Sequence, residues 1–237
     1  MNASSQSSGI IIPLYTKPGN EWEKIIQAKN NHTSVPILVI INPNNGPTPC
    51  LNDDYVKGIS HLKSAGIFTL GYVFTNYASR NDTEVISDID DWKKCYPNIE
   101  GIFFDGMSYI PGNENYYANL TSYAKSQGFE FTVGNPGIDT LPSYIGTVDN
   151  IIIYENSGLP TIKSLEGWHK KYDKSNFSVI SYGVNDINYS TIKRISHDIG
   201  YFFITNGTLP NPFTSLPPYF SQIIETLDKH HNEQEED

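Results

Sequence analysis

Gly101-Ile102-Phe103-Phe104-Asp105 is a run of apolar residues that stops abruptly on a carboxylate. A half-exposed strand alternates apolar with polar side chains. This run does not, so it reads as a strand buried on both faces, the signature of a parallel sheet covered by helices. Asn150-Ile151-Ile152-Ile153-Tyr154-Glu155 repeats the pattern and again closes on an acid. Working outward, eight such runs emerge, at residues 9–15, 35–42, 67–75, 99–105, 130–135, 150–155, 178–184 and 200–205. Between them apolar residues recur at spacings of three and four, which puts each set on one face of a helix. These sets are Trp22/Ile25/Ile26, Tyr55/Ile59/Leu62, Val85/Ile89/Trp92, Tyr116/Leu120/Tyr123, Leu165/Trp168/Tyr172, Ile192/Ile195 and Phe220/Ile223/Ile224/Leu227. Only the fifth connection, 137–149, is short and poorly helical.

Alternating strands and helices predict an α/β fold with a parallel sheet. A doubly wound sheet is the competing topology, but no Gly-x-Gly-x-x-Gly turn follows the first strand. We therefore expect one domain, a (β/α)8 TIM barrel over residues 9–230. Residues 1–8 read as a disordered polar linker, and 231–237 as a frayed acidic tail. The length of 237 residues suits such a barrel, which needs roughly 250.

The net charge is −10 and the chain has only two arginines, Arg80 and Arg194. No basic face exists to neutralise phosphates, so nucleic acid is not an expected partner. No apolar run approaches the ~20 residues of a membrane span. Sixteen tyrosines and many asparagines suit either sugar handling or an aromatic core. Seven Asn-X-Ser/Thr sequons, at Asn2, Asn31, Asn81, Asn119, Asn176, Asn188 and Asn206, lean towards a secreted or cell-surface glycoprotein whose leader is not part of this stretch. Nothing calls for an oligomer, and a monomer is expected. In a barrel, Cys50 would lie in a loop at the top face and Cys95 near the bottom end of a helix. That separation argues against a disulfide, which needs the two Cα atoms within about 7 Å.

Active sites of such barrels lie at the C-terminal ends of the strands. There the sequence offers Tyr15, Asn42 with Asn44, Tyr72 with Thr75, Asp105, Asn135, Glu155, Tyr182 and Thr205. No histidine falls in this ring, so neither a histidine metal site nor a Ser-His-Asp triad is expected, and no cofactor is implied. Asp105 and Glu155 each follow an apolar strand, a costly place for a charge. One such acid alone could equally cap a helix or pair with a lysine. Two on alternate strands, pointing inward by strict alternation, can share one layer of the mouth and point to chemistry. Paired carboxyl groups are what glycoside hydrolysis requires. Tyr15, Tyr72 and Tyr182 offer sugar-stacking faces, although they could serve packing alone. Asn42, Asn44, Asn135 and Thr75 offer groups for sugar hydroxyls.

Several stretches together resemble the spherulin-4-like family of (β/α)8 proteins. They are Ile12-Pro13-Leu14-Tyr15, Ile41-Asn42-Pro43-Asn44-Asn45-Gly46-Pro47, Gly71-Tyr72-Val73-Phe74-Thr75-Asn76-Tyr77 with Arg80, Gly101–Asp105, Gly134-Asn135-Pro136-Gly137 and Tyr154-Glu155. The resemblance implies an endo-acting glycoside hydrolase on exopolysaccharide containing α-1,4-linked galactosamine or N-acetylgalactosamine. By it, Asp105 would be the nucleophile and Glu155 the general acid/base. The family motif usually continues with a second acid after Asp105, where this chain has Gly106. The alternative is a non-catalytic carbohydrate-binding or cell-surface protein on the same barrel. A structural protein of the cell envelope ranks behind both.

Overall fold

The structure is a computed structural model that describes residues 7–47 and 50–235. Eight parallel strands close into a barrel in sequence order. They are β1 (Gly9–Leu14), β2 (Ile37–Ile41), β3 (Phe68–Phe74), β4 (Gly101–Asp105), β5 (Phe131–Asn135), β6 (Asn150–Ser157), β7 (Phe177–Tyr182) and β8 (Tyr201–Ile204). The apolar runs are buried along almost their whole length, because barrel interior and helix layer cover opposite faces of each strand.

Seven α-helices accompany the strands among the described residues: α1 (Asn20–Asn31), α2 (Asp53–Ser64), α3 (Asp82–Cys95), α4 (Glu114–Ser126), α5 (Ile162–Leu165), α6 (Tyr189–Asp198) and α7 (Phe220–Glu235). The expected helical faces pack inward, with Trp22, Ile25, Ile59, Leu62, Val85, Ile89, Trp92, Leu120, Ile192 and Ile195 all buried. Asn52, Asn81 and Asn188 cap α2, α3 and α6, each side chain accepting from backbone N–H groups of the first turn. Gly71 admits the α3 layer, since a Cβ there would lie 2.6 Å from the Trp92 ring.

The sixth connection departs from its expected helix. Leu165, Trp168 and Tyr172 fall in one α-turn followed by the 3-10 turns Trp168–Lys171 and Lys174–Asn176. Gly167, at φ +90, breaks the helix between Leu165 and Trp168. The fifth connection carries only the 3-10 turn Pro142–Tyr144. At the C-terminus α7 runs on to Glu235 through the segment expected to fray. His231 is buried there, so the chain is held by packing as well as by its own hydrogen bonds. At the other end, 1–6 lie outside the described residues, but Ser8 is buried and its Oγ donates to the carbonyls of Ser196 and Ile199.

The two cysteines require a correction. Cys50 and Cys95 form a disulfide, with Cα atoms 5.1 Å apart. The helix does not carry Cys95 to the far end of the barrel. Three residues before it, Trp92 donates its Nε1–H to the carbonyl of Tyr72, near the C-terminal end of β3. The last turn of α3 lies beside the loop between β2 and α2, within reach of Cys50. Closing a loop with a sequence separation of 45 residues is worth about 4 kcal/mol on chain-entropy grounds. We predict that Cys95→Ser, or reduction of the wild type, lowers the free energy of chemical unfolding by a few kcal/mol and lowers the melting temperature. An unchanged unfolding midpoint would count against the link.

Candidate active site

The strand register builds the site. Asp105 and Asn135 are Cα partners at the ends of β4 and β5, so their side chains leave the sheet side by side. Glu155 comes from β6, whose pairing with β7 shifts between Ile152 and Tyr154. This bulge breaks the strict alternation expected along residues 151–155. Bulges characteristically re-aim side chains beside functional sites.

Asn135 joins the two acids. Its Nδ2 donates to Asp105 Oδ1 at 2.9 Å and to Glu155 Oε2 at 2.6 Å. Its Oδ1 accepts from the N–H of Gly137 at 3.0 Å, which fixes the orientation of the amide. The flipped amide would turn an oxygen towards two carboxyl groups. Because one nitrogen touches both, the two acceptor oxygens are separated by no more than the sum of these distances, about 5.5 Å.

The two acids differ in their support. Burial raises the pKa of both. For Asp105 this is opposed by the Tyr72 hydroxyl, donating to Oδ2 at 2.7 Å, by the Gly106 N–H and by Asn135. For Glu155 only Asn135 opposes it, and the charge of Asp105 adds to the rise. Asp105 is thus the better stabilised anion and Glu155 the more readily protonated partner. Burial and the nearby acids push both Tyr15 and Tyr72 well above the usual phenol range, so each hydroxyl stays neutral and able to donate.

Tyr15, Asn42, Tyr72, Asp105, Asn135, Glu155 and Tyr182 line one cavity of about 580 Å³ at the mouth, within the usual size of ligand sites. Tyr15 meets Tyr72 and Phe213 edge-on. Two candidates are placed otherwise. Asn44 is exposed, and its neighbour Asn45 takes the place on the cavity wall. Thr75 is fully buried, and its Oγ1 donates towards the carbonyls of Asp105 and Gly106 and meets the Tyr117 hydroxyl. It clamps the end of β4 from below instead of facing the cavity. Thr205 is likewise buried. Leu209–Phe213, in the connection between β8 and α7, also line the cavity, as do Phe74 and Tyr77 beside Gly106. Sequence reading at strand ends passes over Leu209–Phe213 because they belong to a loop. The run Leu209-Pro210-Asn211-Pro212 is the one signal that marked the segment as a built loop.

Gly106 stands at φ +60, and a Cβ there would lie 2.7 Å from the Phe74 ring. The lack of an acid beside Asp105 is thus matched by the local backbone and by the Phe74 packing. Among the described residues no group of three or more His, Cys, Asp or Glu side chains could hold a metal ion. None of their helices is long and apolar enough to cross a membrane.

The fold and site define a (β/α)8-barrel protein with a hydrogen-bonded pair of carboxyl groups in an aromatic mouth. More narrowly, the chain belongs to spherulation-specific family 4, whose profile matches residues 9–227. It is 30% identical over 233 residues to Spherulin-4 of Physarum polycephalum, covering 92% of this chain and 70% of that protein. Among solved structures, Sph3 of Aspergillus clavatus in complex with GalNAc superposes with a TM-score of 0.83 at 24% identity, covering 95% of this chain and 99% of that one. The YdjI aldolase of Escherichia coli K12 superposes at 0.56 and 12% identity, covering 96% and 88%. At these identities the structural likeness speaks for the fold.

A carboxyl group whose pKa is raised by folding stabilises the folded chain only where it is protonated. That contribution is complete below the ordinary range, about 4.3 for glutamate, and is lost as the pH rises through the raised folded value. At neutral pH an ionised Glu155 is therefore a liability. We predict that Glu155→Gln raises the melting temperature at pH 7 by a few degrees, and that the gain fades towards pH 4. Identical melting at pH 7 would contradict burial as the source of the shift.

Proposed function

We propose that the protein is a retaining glycoside hydrolase acting on a polymer of amino sugars. The observation that carries this reading is the shared hydrogen-bond donor, which keeps the nearest oxygens of Asp105 and Glu155 within about 5.5 Å. Retaining enzymes hold their carboxyl groups about 5–5.5 Å apart, whereas inverting ones leave about 6.5–9.5 Å for a water molecule.

Asp105 supplies the anion in this scheme. Its carboxylate attacks the anomeric carbon while Glu155, protonated, gives its proton to the glycosidic oxygen. The bond to the leaving sugar breaks and a glycosyl ester forms on Asp105. Glu155, now ionised, takes a proton from a water molecule that attacks the same carbon. The ester bond breaks, the sugar leaves with retained configuration, and both carboxyl groups return to their starting states. Asn135 holds the pair in register throughout, and the Tyr72 hydroxyl steadies the Asp105 charge.

The polymer class follows from charge. Among the described residues no lysine or arginine lines the mouth, and the whole chain carries −10. Uronic acids or sulfated sugars would find no counter-charge, while neutral or cationic amino sugars would. Sph3, crystallised in complex with GalNAc, supports N-acetylgalactosamine as the unit to test first. Export to the cell surface or medium is part of the proposal. The Cys50–Cys95 disulfide supports it, since such bonds persist in oxidising compartments. So does the exposure of the sequon asparagines Asn31, Asn81, Asn119 and Asn188. The second reading, a barrel that binds the same sugars without cutting them, is favoured by Gly106 alone.

Incubation with α-1,4-linked galactosamine and N-acetylgalactosamine polymers should release new reducing ends. The first-formed anomer, followed by NMR, should keep the configuration of the substrate. Asp105→Asn and Glu155→Gln should each lower turnover by about 10³-fold or more, as loss of a nucleophile or acid does. Glycan binding with no turnover in the wild type would decide for the second reading. An inverted product would exclude the covalent route.

A further inference from the structure

The connection from β3 to α3 has an unusual backbone. Asn76, Tyr77 and Ala78 are consecutive and all left-handed, at φ 48, 55 and 66. Asparagine tolerates that region, but tyrosine and alanine carry a steric penalty there. Such a conformation persists only where its surroundings over-determine it. Here they do. The Tyr77 N–H donates to the carbonyl of Gly106 at 2.6 Å, and the Thr75 N–H to that of Asp105 at 2.9 Å. Arg80 donates to the carbonyl of Phe74 and pairs with Asp88, and its own carbonyl accepts from the Tyr116 hydroxyl.

The product of this turn is the position of one ring. Tyr77 lines the mouth cavity and remains 49% exposed. Tyr109, 43% exposed, meets it edge-on with ring centroids 6.1 Å apart. Among the described residues neither hydroxyl has a hydrogen-bond partner in the protein. Two rings on the rim, one of them fixed through its own turn to the backbone of Asp105 and Gly106, face water, a poor use of aromatic surface unless something covers them.

We propose that Tyr77 and Tyr109 form a distal sugar subsite, which stacks a ring of the glycan beyond those flanking the bond to be cleaved. The reading rests on the proposed glycan-cleaving mouth, with which the rim is continuous through Tyr77 and Phe74. A sugar suits the place because its C–H face packs on an aromatic face while its hydroxyls stay in water. No charged side chain is needed, and the two rings offer none. The strained turn is a pre-organising device that sets the ring before the glycan arrives, so little freedom is lost on binding. The subsite makes the protein discriminate by chain length, favouring polymers over short fragments.

The test uses the oxidised 237-residue chain carrying Asp105→Asn, so that bound glycan is not consumed. Calorimetry measures its affinity for the α-1,4-linked N-acetylgalactosamine disaccharide and for a long oligomer of the same unit. Adding Tyr77→Ala or Tyr109→Ala should weaken the long oligomer about tenfold, and Tyr109→Ala, which lies outside the mouth cavity, should leave the disaccharide unchanged. Tyr77→Phe should keep the affinity for both. Tyr109 lies off the strained turn, so its variant stands in should Tyr77→Ala fail to fold. Unchanged long-oligomer affinity in the alanine variants, while Asn135→Ala loses it, would overturn the subsite and leave the glycan mouth standing. Failure of the parent to bind any oligomer would overturn both.

Discussion

One amide organises the mouth of this barrel. The Nδ2 group of Asn135 donates to Asp105 and Glu155 at once, and its oxygen is occupied by the N–H of Gly137. Two buried carboxyl groups at that range repel when both are ionised and need a shared donor or a shared proton to coexist. The amide supplies the donor. The asymmetry around it separates the two acids, because Asp105 has further donors in Tyr72 and Gly106 that Glu155 lacks. The proposed reaction draws its nucleophile and its proton donor from this difference between two chemically similar side chains.

The rest of the molecule serves to hold that amide in place. Register puts Asp105 beside Asn135, and a bulge in β6 interrupts the alternation that leads to Glu155. Thr75 and Tyr117 clamp the chain beneath Asp105. Phe74 closes over Gly106, so the backbone there turns with no side chain of its own. The barrel core provides the rigidity, the aromatic walls lower the local dielectric, and the loops decide what can approach.

Much of this was legible in the residues. Continuous apolar runs gave all eight strands, because strands buried on both faces leave no other composition. The acids stood out because a charge ending an apolar run needs a reason. What escaped depended on three-dimensional details that a pattern does not carry. The end of α3 lies beside the β2–α2 loop, and no spacing rule predicts that Cys95 there reaches Cys50. Thr75 looked like a lining residue because strand ends do line such mouths, yet its hydroxyl turns to backbone carbonyls. Asn44 and Asn45 exchange roles within a turn where Asn45 is left-handed. The Leu209–Phe213 wall and the Tyr77 turn lie in loops, where composition records flexibility or shape but not direction. The resemblance to spherulin-4-like proteins could be drawn from the strand-end motifs, and the family profile over residues 9–227 bears it out.

The account stands on the coupling of the two carboxyl groups. The direct measurement is an NMR titration of the side-chain carboxyl carbons of Asp105 and Glu155, in the wild type and in Asp105→Asn. We predict that Glu155 in the wild type titrates above the ordinary glutamate value of about 4.3. Its midpoint should fall when the charge at position 105 is removed, as for a coupled pair. A Glu155 that titrates in the ordinary range, or that ignores the loss of Asp105, would contradict the account.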